Sequence, residues 1–272
     1  MKPKDVDFLI IGAAKCATTW LQHQLQADPS VYMPDPELHF FSREFDKGQN
    51  WYLNQFEIPK SAKIIGEKSN SYLSDPNAAK RIHKILPDVK LVVQLRNPIE
   101  RAYSDYCMLF RRGSVGSDIE NYLDPNKSAG DRCINDGLYA PQIQTFLDFF
   151  GQDPLLILDF DDVTQNPEAQ MITLRKHLGL DTHLPLHTIS EKIKDKSANR
   201  IPPNMRKKLG WLKPIVKSLR GTKTFKAAWT TLSKASEYPE LTPKLRGALS
   251  EFYQPYIRQL ELITDRSKAH WK

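Results

Sequence analysis

Three cysteines in 272 residues are too few, and odd in number, for a disulfide framework. Cys16, Cys107 and Cys133 point instead to a reducing compartment, and a cytoplasmic protein is expected. No C-x-x-C pair and no His/Cys cluster occurs, so no metal site is expected. No apolar run approaches the roughly 18 residues that a membrane span needs. The opening "MKPKDVDFLIIG" lacks a long apolar h-region, so no secretory signal is expected. Internal repeats and low-complexity linkers are also lacking. The chain reads as a single domain over 1–272, with a mainly helical C-terminal subregion from about 185.

Charge is present but unevenly spread. The net formal charge is +7. Between Lys192 and Lys226 stand twelve Lys or Arg against one acid, Asp195, a local +11 that leaves −4 for the rest. Such a block suits either an anionic partner or a solvated basic helical face. Met205, Leu209, Leu212, Val216 and Leu219 recur there at helical spacing, and Pro214 interrupts the pattern.

Runs rich in β-branched residues at 7–11, 62–67, 90–95 and 155–160 alternate with helical periodicity at 18–27, 76–86, 98–111, 138–150 and 167–178. This alternation predicts an α/β fold, a central parallel β-sheet flanked by helices. A last helix is expected at about 243–263, and 112–135 reads as a long loop. Ligands of such sheets gather at the carboxyl ends of the strands, which directs attention to four segments.

"GAAKCATTW" follows the first strand. Its small residues let backbone amides converge on an anion at a helix N-terminus, with Lys15 adding a full charge and Thr18 and Thr19 adding hydroxyls. The spacing is not the G-x-x-x-x-G-K-[ST] of an ATP-binding loop. "LRNPIERAYSDY" puts Arg96 at another strand end and Ser104 on the following helix, a grip for a second phosphate. "GEKSNSYL" ends a strand on Glu67, a candidate general base, with Lys68 beside it. "PELHFF" offers Glu37, His39, Phe40 and Phe41, and His39 reads as either structural or catalytic.

Together these segments resemble the sulfotransferases that use 3′-phosphoadenosine 5′-phosphosulfate (PAPS), particularly heparan-type carbohydrate sulfotransferases and their bacterial relatives. "GLYAPQIQTFLDFFGQDPLLILDFDDV" and "YQPYIRQLELITDRSKAHW" extend the resemblance over nearly the whole chain. The resemblance implies a P-loop-like sheet and PAPS as sulfuryl donor without a metal. It implies that Ala14, Lys15, Cys16, Ala17, Thr18, Thr19 and Trp20 hold the 5′-phosphosulfate, and that Arg96 and Ser104 hold the 3′-phosphate. "KDKSANRIP" stands where the family has a late cofactor loop, which implicates Lys196, Ser197, Asn199 and Arg200. In this reading Lys15 stabilises the leaving oxygen. Glu67 takes the proton of an acceptor hydroxyl, less often an amine, and His39, Phe40 and Lys68 face the acceptor. That acceptor is expected to be a small natural product or a saccharide. No nucleic-acid partner is expected. Two positions depart from the pattern: Ala17 stands where many relatives have Gly, and Pro36 where many have Lys.

Two other readings stand beside this one. "LLILDFDD" has the hydrophobic-run-then-Asp form of a magnesium-binding strand, with Asp159 or Asp161 as ligand, which would make a nucleotide kinase. Alternatively, 192–226 with Trp211, Phe225 and Trp229 would bind a polyanion or an anionic membrane.

Overall fold

All five residues of the first strand, Phe8–Gly12, are buried, as expected of a parallel strand covered on both faces. Around it a computed structural model describes residues 1–127, 132–187 and 238–271. The elements run β1 (Phe8–Gly12), α1 (Thr18–Gln26), β2 (Val31–Tyr32), α2 (Gln49–Leu53), β3 (Ile64–Lys68), α3 (Ala78–Ile85), β4 (Lys90–Leu95) and α4 (Pro98–Arg112). After these come α5 (Glu120–Leu123), α6 (Arg132–Asn135), α7 (Tyr139–Phe150), β5 (Leu155–Asp159), α8 (Asp162–Gln165), α9 (Pro167–Leu178) and α10 (Pro243–Thr264). No helix among the described residues is long and apolar enough to cross a membrane.

The strands pair in parallel in the order β2-β3-β1-β4-β5. Because β3 lies on one side of β1 and β4 on the other, successive crossovers leave the sheet in opposite directions. The crevice at such a switch point is where ligands bind in open α/β sheets. Side-chain alternation along β1 feeds two cores. Leu9 and Ile11 pack with Ala79 and Ile82 of α3, Ile143 and Phe146 of α7 and Leu260 of α10. Phe8 and Ile10 pack with Leu21 and Leu25 of α1 and with Met171 and Leu174 of α9.

The expected α/β sheet and its helices are present, with four strands where periodicity puts them. β2, only two residues long, carries too little pattern to be read. The supposed loop 112–135 holds α5 and α6, each of four residues and too short for a helical period. Local chemistry starts the long helices. Asn97 accepts hydrogen bonds from the amides of Ile99 and Glu100, and Pro98 takes the first turn of α4. Thr242 caps α10 through the Leu245 amide. The basic segment 192–226 lies outside the described residues.

Gly66 pairs with Phe8 across β3 and β1, and a Cβ there would sit 2.2 Å from the Phe8 ring. Gly66→Ala is therefore expected to destabilise the protein by about 1–3 kcal/mol through overpacking. Chemical denaturation checks this, and an unchanged midpoint would contradict the close approach.

Candidate active site

The loop after β1 curls at Lys15 and Ala17, whose φ angles of 73° and 60° are left-handed. Alternating right- and left-handed residues make a concave nest of backbone amides. Those of the first turn of α1 have no acceptor within the helix. Gln94 of β4 donates its side-chain amide to the Cys16 carbonyl and braces the loop from beneath. The left-handed Ala17 also explains the preference for Gly at this position, since a Cβ there is strained. The Cys16 side chain turns inward to Tyr139 Oη, 3.7 Å away, and burial pushes its thiol up to about 11. Cys16 thus contributes main chain and no thiolate.

A cleft of about 680 Å³ opens over this loop. Ala14, Lys15, Ala17, Thr18, Thr19 and Trp20 form one side. Glu37, His39, Arg43, Asn70, Ser71 and Ser74 form a second, and Ser104, Cys107, Met108, Arg111 and Arg112 of α4 a third. Arg132, Asp136, Phe160 and Tyr238 complete it. Arg96, just past the end of β4, does not line the cleft itself but touches two residues that do, with Nη1 3.5 Å from the Lys15 carbonyl and its guanidinium 4.4 Å from the centre of the Phe160 ring. Arg132 grips Asp105 with two bonds of 3.1 Å, and Asp105 also contacts the buried Arg101.

The structure corrects the expected general base. Glu67 is fully buried and does not reach the cleft. Its carboxylate accepts from Tyr52 Oη at 2.9 Å, Ser69 Oγ at 2.5 Å and Tyr72 Oη at 2.6 Å. Burial raises its pKa, which those three hydroxyls oppose. Phe40 is corrected as well. It is fully buried and stacks on Tyr52 with ring centres 4.6 Å apart, inside an aromatic cluster rather than against an acceptor. His39, at φ 52°, turns the chain so that its own ring lines the cleft while Phe40 enters the core.

Two carboxylates do line the cleft, Asp136, which is paired with Arg101 and Arg132, and Glu37. Lys68 Nζ lies 2.7 Å from Glu37 Oε1 and 3.3 Å from Thr19 Oγ1. Lys68 is 3% exposed and stands behind Glu37, so it is not an acceptor contact. The Asn70 amide donates to Glu37 Oε2 at 3.1 Å, and His39 Nε2 is 3.7 Å from the same oxygen. Burial alone would raise Glu37, but the charge and hydrogen bond of Lys68, with the Asn70 amide, bring it below the ordinary carboxylate value. Burial and then Arg43 lower the His39 pKa, and its Nδ1 pairs with Ser71 Oγ at 2.7 Å.

The kinase reading meets a second correction. Asp159 is paired with Lys268, and Asp161 lies 3.2 Å from His270, so both carboxylates are engaged by basic side chains. Lys196, Ser197, Asn199 and Arg200 lie outside the described residues. The functional candidates missing from the sequence reading are the four cleft arginines, Arg43, Arg111, Arg112 and Arg132. "RR" after "YSDYCMLF" was a visible signal, whereas Arg43 and Arg132 carry none.

A family model described as a sulfotransferase domain matches residues 5–261. The chain belongs to the sulfotransferase domain family. Human heparan sulfate glucosamine 3-O-sulfotransferase 6 is 28% identical over 94% of this chain and 71% of its own length. The bovine bifunctional heparan sulfate N-deacetylase/N-sulfotransferase 2 is 28% identical over 95% of this chain, which spans only 29% of that relative. A sulfotransferase from Alicyclobacillus acidocaldarius shares the fold with a TM-score of 0.72 and 23% identity, over 98% of each chain. Family membership thus overturns the kinase reading.

In this sulfotransferase the buried Glu67 serves the hydroxyl cluster. Glu67→Gln should lower stability by about 1–3 kcal/mol, because an amide cannot accept from all three hydroxyls as the carboxylate does. Turnover per folded molecule should fall far less than the ~10²-fold that loss of a general base costs. Parallel unfolding and rate measurements check both halves.

Proposed function

We propose that this sulfotransferase moves a sulfuryl group from PAPS to a hydroxyl of an anionic saccharide, with Glu37 as the general base. One observation carries the proposal: the Glu37 carboxylate lines the cleft and shares Lys68 with Thr19 of the phosphate loop. A base must sit within reach of both the acceptor proton and the donor site, and Glu37 alone of the two candidate carboxylates faces the cleft.

The residues fit a phosphorylated nucleotide donor. The curled loop and the start of α1 offer amides and the Thr18 and Thr19 hydroxyls to a 5′ anion, and Lys15 adds positive charge. Arg96 and Ser104 flank the loop from the next strand and helix, where a 3′-phosphate is the expected partner. PAPS, when bound, supplies the activated sulfuryl group. Lys15 then stabilises charge on the departing oxygen. Glu37 accepts the acceptor's proton, Lys68 keeps Glu37 ionised, and neutral His39 orients the carboxylate and the incoming hydroxyl. Arg43, Arg111, Arg112 and Arg132 around the opening support an acceptor carrying carboxylate or sulfate groups. The saccharide chemistry is carried over from the names of the relatives. Three buried cysteines, none of them in a disulfide, support a reducing setting.

Glu37→Gln should cost about 10²–10⁴-fold in turnover while leaving nucleotide binding intact. Equal losses for Glu37→Gln and Glu67→Gln would overturn the assignment. 3′-Phosphoadenosine 5′-phosphate should raise the melting temperature without added magnesium, through ligand linkage. Acceptor assays should show anionic saccharides favoured over neutral ones at low salt, with the preference shrinking as ionic strength rises.

The lowered Glu37 pKa has a pH consequence. Glu37 loses its base function only when protonated, so kcat/KM should hold as pH falls to the usual carboxylate range of about 4.3 and drop below it. Lys68→Met removes the charge that depresses Glu37, and the acid limb should move to higher pH. A limb that stays put would separate Glu37 from the rate.

A further inference from the structure

A carboxylate flanks Arg96. Glu100 stands one helical turn on, with Oε2 4.0 Å from Arg96 Nη2. It could draw the guanidinium into a tight ion pair and neutralise it, but it is instead taken up by another cation from the C-terminal part of the chain. Arg246 of α10 holds Glu100 at 2.7 Å, closer than Arg96 comes. Lys268, 2% exposed, holds Asp159. The Lys268 backbone amide donates to Glu261 Oε1 at 2.5 Å, and its Nζ lies 4.9 Å from the centre of the Trp271 ring.

The same tail steadies the main chain of Arg96. Trp271 is buried against Tyr139, ring centres 6.1 Å apart, and Tyr139 Oη donates to the Arg96 carbonyl at 2.9 Å. The Arg96 guanidinium lies over Phe160 and keeps only long polar contacts, at 3.5 and 4.0 Å. An arginine so placed is fixed in position without being neutralised, which is the state that grips a phosphate monoester best.

We propose that Arg246 is a positioning residue that occupies Glu100 and so leaves the Arg96 guanidinium to a phosphate monoester on the donor nucleotide. This rests on the reading of Arg96 as the 3′-phosphate contact. Without Arg246 the released Glu100 competes for Arg96. The cost then falls on the 3′-phosphate and spares the rest of the nucleotide.

The test compares two probes, 3′-phosphoadenosine 5′-phosphate and adenosine 5′-phosphate, by calorimetry on the full chain. Arg246→Gln should weaken the bisphosphate about five- to tenfold, the scale of one partly screened ion pair. Adenosine 5′-phosphate should change less than about twofold, within the range of near-neutral surface changes. Pairing Arg246→Gln with Glu100→Gln should restore the preference for the bisphosphate. Equal weakening of both probes, or failure of the double variant to restore the preference, would overturn the proposal and mark Arg246 as merely structural. A wild-type protein that binds the two probes equally would overturn the 3′-phosphate reading itself, and this inference with it.

Discussion

The ion pair between Lys68 and Glu37 is the joint on which the site depends. Lys68 ends β3 with its ammonium almost wholly out of water, and a buried charge of this kind must be paired. Glu37 is the counter-charge. That requirement draws the segment after β2 against the end of β3, and Thr19 of the phosphate loop meets the same ammonium. Three pieces of chain far apart in sequence are thereby held at one point of the sheet edge. Glu37 is positioned by charge neutralisation and by the Asn70 amide.

Two neighbouring residues of β3 show how one strand divides its duties. Side chains alternate along a strand, so Glu67 and Lys68 leave it on opposite faces. Lys68 goes toward the phosphate loop. Glu67 goes into the aromatic cluster of Phe40, Phe41, Tyr52 and Tyr72, where three hydroxyls satisfy it. A carboxylate buried so completely, with every nearby donor aimed at it, ties the cluster together and has no access to an acceptor.

The cleft as a whole is an anion site built in layers. Backbone amides and Lys15 stand at its floor, Arg96 beside them, and four arginines around the opening. Acidic groups nearby are mostly committed: Asp105 to Arg101 and Arg132, Glu100 to Arg246, Asp159 to Lys268. Positive potential therefore survives where negative ligands arrive, although the chain outside 192–226 sums to a net negative charge.

Much of the fold and part of the site were legible in the residue order. Four of the five strands, the long helices, the phosphate loop at 12–20 and the Arg96–Ser104 pair follow from local periodicity and from glycine, lysine and proline at strand ends, all of which act within a few residues. The family followed from those same local motifs. Which of Glu37 and Glu67 faces the cleft could not be read from order. Both sit in plausible motifs, and only the packing of the aromatic cluster, which buries one and leaves the other partly buried at the cleft beside Lys68, separates them. Arg132 reached the cleft from a four-residue helix with no periodic signal, and Lys268 reached Asp159 across 109 residues. The sequence by itself determined where phosphates can be held, because that depends on backbone and side chains adjacent in the chain. Only the tertiary structure decided which carboxylate lines the cleft and which is buried in the core, because burial and ion pairing depend on neighbours that the chain brings together from a distance.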